Sequence, residues 1–415
     1  MELKDQLFLE ALKASLNNQK VTWDFTILQE TWKQIFELAG SQKVLPLIFE
    51  AVYASPAIRS TDFQFYTQVK RGCMEQIIGQ TQKTEEFFEI CKQFAQAGEK
   101  PLVVKGIVCR QLYPKPDLRI SADEDILVTS ESFKRSKMIL KDYGMRQLGT
   151  DDSLDVQEVG FLSEKGKSYI ELHQKLFSEE SEVYGDWNHY FSDCFDNCVA
   201  LDIQGNRVYT MEPTTHLFYL ICHAFKHFLH SGFGIRQVCD MVLFANAYGE
   251  EIDWKKILVQ CREIRADKFV AALFKIGKNY LTFDEKKSCY TKSWKKIEVD
   301  EEPLLKELLC SGIYGNSSMS RKHSSNITLE AVSAQKSGKK AGKGLKASLF
   351  PAAKNLEGKY TYLKKQPYLL PIAWGERLLK YYKETAQSEN NNALDAVRIG
   401  NERIQLLKTY GVLEK

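Results

Sequence analysis

The spacing of apolar positions changes period along this chain, and the changes divide it into regions. Leu7, Leu9, Leu12 and Leu16 open an amphipathic helical pattern, and Trp23 to Leu38 continues one. Asp62 to Ala97 reads as one long helix, or two joined near Gly72 or Gly79, and Ala97-Gly98-Glu99 closes a helix-rich region at residues 1–98. From residue 99 to 211 the pattern is α/β. Short apolar or alternating runs near 101–105, 123–128, 155–162, 168–174 and 197–209 predict strands, with a helix from Ser132 to Asp142 among them. Helical spacing returns from Pro213 to about Tyr280 within a region at 212–300, of which residues 285–300 form a lysine-rich connection. The last region, 301–415, is helical with an interruption at Ser333 to Lys346, where Lys336, Lys339, Lys340, Lys343 and Lys346 with three glycines and no acid predict a mobile basic loop. Such a loop suits phosphate-bearing partners, although a solvated surface is the simpler reading.

Chemistry concentrates in the α/β region. The run Pro101-Leu-Val-Val104 is followed at once by Lys105-Gly106, then by helical spacing from Ile107 to Tyr113 that Pro114 and Pro116 stop. Next comes Arg119-Ile-Ser-Ala-Asp-Glu-Asp-Ile-Leu-Val128, an apolar strand opened by two carboxylates one residue apart. On a strand Asp123 and Asp125 share a face, and like charges side by side call for a cation, in a pocket usually a divalent one. Glu124 points to the opposite face, which leaves it either at an exposed strand end or as part of the site. Gly106 permits close backbone approach to a phosphate, and Lys105 adds a point charge. Downstream, Ser163-Glu-Lys-Gly-Lys167 reads as a hairpin turn, after which Glu171 and His173 share one strand face. With neighbouring strands roughly 4.8 Å apart, Glu171 can stand beside the aspartate pair if its strand is adjacent.

Lys105-Gly106, Tyr113-Pro114, Arg119 and Asp123-x-Asp125-Ile-Leu-Val together resemble the core of the nucleotidyltransferase superfamily with the DNA polymerase beta-type fold. The chain is more closely similar, over about residues 20–380, to a bacterial family named only as uncharacterised nucleotidyltransferases. That resemblance implies an α+β fold, with a mixed-sheet nucleotidyltransferase core flanked by N-terminal and C-terminal helical regions. It implies a Mg2+ centre, two ions in the usual arrangement, held by Asp123, Asp125 and Glu171 as metal-binding and catalytic carboxylates. It further implies that Lys105, Gly106, Arg119 and His173 contact substrate. Two positions depart from the superfamily pattern: Gly106-Ile107 lacks the usual second small residue, and Glu124 stands where an apolar residue is usual.

A second constellation lies between Pro213 and Gly232, where His216, His223, His227 and His230 recur at helical spacing on one narrow stripe. The plain reading is an interface stripe bonded to carboxylates. A His-x-x-x-His zinc site lacks its further ligands here. A His-Asp phosphohydrolase centre built on His223, His227 and Asp240 lacks the adjacent His-Asp doublet. In the resembling family, a helix with His-x-x-x-His and a following helix with Arg and Asp pack on the catalytic domain. His223, His227 and Arg236 are then implied substrate contacts, while Arg236 and Asp240 at i,i+4 also suit a simple pair.

Composition adds limits. The 415 residues are 44% apolar and 27% charged with a net charge of +3, so no global electrostatic footprint points to long nucleic acid or an anionic membrane. Ten cysteines without a Cys-x-x-Cys read as buried thiols of a reducing compartment. The N-terminal residues carry no signal-peptide pattern, and no apolar run approaches the roughly 20 residues of a membrane span, which together imply a cytoplasmic protein. The expectation is a Mg2+-dependent enzyme moving a nucleoside monophosphate from an NTP to an unidentified acceptor. A toxin-like enzyme modifying RNA or protein, and a non-catalytic nucleotide-binding module with the same fold, remain open alternatives. The sequence leaves acceptor and oligomeric state open.

Overall fold

A computed structural model describes residues 1–149, 157–164, 168–230, 232–311, 319–338, 353, 356, 360, 362–363, 366–376 and 393–414. Helices α1 to α5 are Leu3–Leu16, Gln29–Ser41, Leu45–Val52, Pro56–Arg59 and Phe63–Gln96. The 62–97 segment is thus a single helix, which Asp62 starts by accepting a 3.0 Å bond from the Phe65 amide. The α/β region follows as β1 (Leu102–Val103), α6 (Gly106–Arg110), β2 (Glu124–Leu127), α7 (Ser130–Asp142), β3 (Met145–Gln147), β4 (Glu158–Ser163), β5 (Tyr169–His173), β6 (Val199–Ile203) and β7 (Asn206–Thr210). The expected run at 197–209 is a hairpin rather than one strand. Gln204 and Gly205, at φ of 55° and 77°, make its two-residue turn. Strand β3 has no counterpart in the sequence reading, because three residues are too few to establish a period. Residues 155–156 and most of the expected turn at 163–167 lie outside the described residues.

These strands form one seven-stranded mixed sheet in the order β3-β4-β5-β2-β1-β7-β6. Strand β2 runs parallel to β5 and antiparallel to β1, and β1 runs parallel to β7. The chain reaches β5 from β2 through α7 and the β3–β4 excursion.

After the sheet come α8 (Pro213–Leu229), α9 (Ile235–Ala247), α10 (Trp254–Glu263), α11 (Asp267–Tyr280), α12 (Lys292–Lys295), α13 (Glu302–Ser311), α14 (Met319–Lys336) and α15 (Ala393–Thr409). Pro213 sits in the first turn of α8, whose free amides at Thr214 and Thr215 donate to the Glu212 carboxylate. Residues 333–336 of the expected basic loop continue α14, and residues 339–346 lie outside the described residues. Residues 285–300 include the short helix α12.

Two cores flank the sheet. Val103, Ile126, Val128, Ile170 and Leu172 pack with Phe87, Phe88, Ile90 and Phe94 of α5 and Phe133 and Leu140 of α7. Leu102, Val104 and Leu127 face the other way, into a larger core shared by α1 to α3 and by α8 to α11. The alternation of β2 therefore decides which face each acid serves. N-terminal and later helices are tied directly: Gln42 donates to the Leu308 carbonyl at 2.9 Å and accepts from the Ile235 amide at 2.8 Å. Cys73, Cys109, Cys194, Cys222, Cys239 and Cys261 are buried as thiols, whereas Cys289 and Cys310 are exposed. Among the described residues no helix is long and apolar enough to cross a membrane.

Candidate metal centre

The register of β2 on β5 builds the site. Asp125 stands opposite Glu171, and Leu127 opposite His173, so the carboxylates of two strands meet on the sheet face that α8 covers. Asp125, Glu171 and His173 each offer one donor atom, all within 4.8 Å of one another. Asp125 is 2% exposed and His173 6% exposed, while Glu171 is half-buried at the edge of the cluster. Asp123, two residues before Asp125, shares its face by the strand period and is partly exposed. Among the described residues it forms no hydrogen bond or ion pair, and it is not one of the three clustered donors.

Electrostatics separates the three groups. Burial pushes the Asp125 carboxyl up, but the Lys105 ammonium at 2.9 Å and the His173 ring outweigh it and hold Asp125 well below the usual carboxylate range. Burial and then repulsion from Asp125, Glu158 and Asp123 push Glu171 up to about 7. Burial would lower His173, yet Asp125, Glu158 and Glu171 around it raise it. Its ring lies 3.5 Å from Asp125, 3.7 Å from Glu171 and 3.4 Å from Glu158. A strongly acidic carboxylate, a proton-retaining one and an imidazole thus share one small space, an arrangement typical of functional sites.

Glu158 and Tyr169 were not visible as site residues in the sequence. Glu158 is opposite His173 in the antiparallel β4–β5 pair, and the sequence spacing carried no sign of that pairing. Gly160, opposite Glu171, has no room for a side chain, since an added Cβ would come within 2.5 Å of the Tyr169 hydroxyl. Tyr169 accordingly lies across β4 beside the acids, and burial with repulsion from Glu171 pushes its phenol up to about 12.

Glu124 lies neither at an exposed strand end nor among the clustered donors. It is buried on the opposite face, where it pairs with Arg110, accepts the Ile107 amide at 2.7 Å, and lies 3.4 Å from the Ser121 hydroxyl. Gly106 adopts φ +46°, and a Cβ there would fall 1.6 Å from the Glu124 carboxylate. The glycine is thus accounted for by the close approach of Glu124, and the Ile107 amide beside it in the first turn of α6 is already paired.

The histidine stripe divides into separate jobs. His216 bonds the Val104 carbonyl at 2.7 Å and the Thr210 hydroxyl at 3.0 Å, pinning α8 to β1 and β7, and burial lowers it to about 4. His230 meets the Tyr184 hydroxyl at 3.1 Å. His223 reaches the site: its Nε2 is 3.0 Å from Lys105 Nζ and 3.2 Å from His227 Nε2. Burial, then the Lys105 charge, keeps His223 neutral, so it accepts from the ammonium. Asp125, Lys105, His223 and His227 form one continuous polar chain from sheet to helix.

Asp240 does not pair with Arg236. It takes a two-bond contact from Arg119 at 2.9 and 2.7 Å and a third bond from the Tyr113 hydroxyl at 2.8 Å, which ties α9 to the loop before β2. Arg236 donates to the Ile120 carbonyl in that same loop. Arg119 Nη1 and Arg236 Nε are buried nitrogens without a hydrogen-bond partner.

A family model described as "Uncharacterised nucleotidyltransferase" matches residues 29–282, well over half of the chain. The chain belongs to this family. No curated protein and no solved structure matches it. The matched segment runs from α2 to the end of α11 and so holds every residue of the cluster. Helices α12 to α15 lie beyond it, yet Arg403 of α15 bonds the Phe228 and His230 carbonyls at the end of α8.

Proposed function

We propose that this protein transfers a nucleoside monophosphate from an NTP to an acceptor hydroxyl, amine or phosphate, with divalent metal ions held by Asp125, Glu171 and Asp123. The observation that carries the reading is the parallel β2–β5 register, which sets Asp125 beside Glu171 and His173. The donor set fits a divalent cation. Two carboxylates and an imidazole converge, and neither His173 nitrogen forms a well-aligned hydrogen bond within the protein. An ion held by these residues would supply charge neutralisation for the triphosphate and the leaving pyrophosphate and would lower the proton affinity of the attacking oxygen.

The chain's own groups do the positioning. Lys105, held between Asp125 and His223, places one positive charge at the cluster. Arg119 and Arg236, each with an unpartnered buried nitrogen near the loop that leads into Asp123, are the phosphate contacts this reading favours over Gly106, whose neighbouring amide already serves Glu124. His223 and His227 line the polar chain behind Lys105, and α8 closes the sheet face against bulk water.

Calorimetric titration of each NTP in the presence of Mg2+ or Mn2+ tests the reading, together with transfer of label from the α-phosphate. Asp125→Ala and Asp123→Ala should each remove more than about nine-tenths of the transfer rate, at least about 1.4 kcal/mol in barrier, without unfolding the chain. Wild-type protein that binds no NTP with either metal would overturn the proposal.

A further inference from the structure

His173 sits in a ring of acids with its two nitrogens turned in different directions. Nε2 faces Asp125 and Glu171 at 3.5 and 3.7 Å, whereas Nδ1 faces Glu158 at 3.4 Å. Strand pairing fixes this arrangement, because Glu158 is the residue opposite His173 across β4 and β5. We propose that Glu158 is a positioning residue. With an ion in place it accepts the Nδ1 proton of His173, a contact that stands at 3.4 Å and out of hydrogen-bond alignment in this structure, and so fixes the tautomer whose Nε2 lone pair completes the cation site with Asp125 and Glu171. The inference rests on the metal-centre reading given above.

The physical reason is the ambiguity of a neutral imidazole. Either nitrogen can carry the proton, and only the form protonated on Nδ1 presents Nε2 to an ion. A carboxylate at Nδ1 removes the ambiguity, holds the ring plane and makes Nε2 a stronger donor, which is why metal-bound imidazoles so regularly have such a partner. Glu158 is suited to this task and less suited to being a ligand. Its side chain is 51% exposed, and it approaches the nitrogen that points away from the other two donors. Because it is half in water, its removal leaves neither a cavity nor a buried unpaired charge. One nitrogen and two carboxylates also suit Mn2+ better than Mg2+, which favours oxygen ligands throughout.

The test is calorimetric titration of Mn2+ alone into the full chain, comparing wild type with Glu158→Gln, Glu158→Ala and Asp125→Asn, with denaturation midpoints recorded for each. Asp125→Asn should lose measurable binding. Glu158→Ala should bind about 10-fold more weakly, the low end of the effect of such partners because this one is half exposed. Glu158→Gln keeps an acceptor oxygen and should fall between Ala and wild type, with midpoints unchanged for both Glu158 variants. Wild-type affinity in Glu158→Ala, alongside loss in Asp125→Asn, overturns the role of Glu158 alone. Complete loss in Glu158→Ala makes Glu158 a direct ligand and equally overturns the orienting role. An Asp125→Asn variant that binds like wild type overturns the metal centre itself.

Discussion

Replacing Lys105 with Met separates the charge at the site from the shape of the side chain. Lys105 Nζ lies 2.9 Å from Asp125, with side-chain exposures of 15% and 3%. Removing one partner of a buried ion pair typically costs about 3–5 kcal/mol, because the remaining charge stays desolvated and unpaired. Met keeps most of the packing volume, so little of the loss should come from a cavity. The metal-free variant should therefore unfold with about 3–5 kcal/mol less free energy than wild type. A divalent cation at Asp125 replaces the missing positive charge, so Mn2+ should stabilise Lys105→Met more than wild type. An ion at 100 times its dissociation constant contributes about 2.7 kcal/mol, and tighter binding by the variant adds about 1.4 kcal/mol per tenfold. The assay is urea denaturation followed by tryptophan fluorescence, with chelator and with saturating Mn2+. A metal-free difference below about 1 kcal/mol, or one that Mn2+ leaves unchanged, would refute the argument that Lys105 holds the place of a cation.

Three further outcomes are expected. Glu171 is raised to about 7, so in the metal-free protein its contribution to stability is fully present below its ordinary value of 4.5 and is lost as pH rises through about 7. A cation must displace that proton and also the proton that the surrounding acids favour on His173, so Mn2+ affinity should rise by at least about tenfold per pH unit below about 7, and a flat calorimetric profile would contradict this. Gly106→Ala forces a side chain into the Glu124 carboxylate at a left-handed φ and should cost more than about 2 kcal/mol in urea denaturation; a near-neutral result would show that Glu124 can swing away. Asp240→Ala should cost about 3–5 kcal/mol by stranding Arg119, and Arg119→Met with Asp240→Ala should recover much of it; equal losses in single and double variants would argue against a coupled buried pair.

The sequence told more about faces than about neighbours. Asp123-x-Asp125 and Glu171-x-His173 could be placed on strand faces because the period of two acts within one short segment. That the two strands lie side by side came from resemblance to a family, since no local spacing encodes which strand pairs with which. Glu158 escaped notice for the same reason: its partner His173 lies across β4 and β5. The Arg119–Asp240 pair joins the loop before β2 to α9, so the i,i+4 spacing of Arg236 and Asp240 suggested a nearer partner than the fold provides. Glu124 was correctly turned to the opposite face by alternation, but its neutralisation by Arg110 of α6 depends on packing between elements.

The parallel pairing of β2 with β5 also bears on the order in which the protein comes into being. Parallel neighbours cannot be joined by a tight turn, so Asp125 and Glu171 meet only after α7 and the β3–β4 excursion have been laid down between them. Closing that long connection costs chain entropy before any contact repays it, which places this pairing among the slower steps of folding. Until then the nascent chain holds its acids far apart and offers no cluster of three donors. The appearance of cation affinity during refolding should therefore coincide with completion of the central sheet and lag behind formation of the helices.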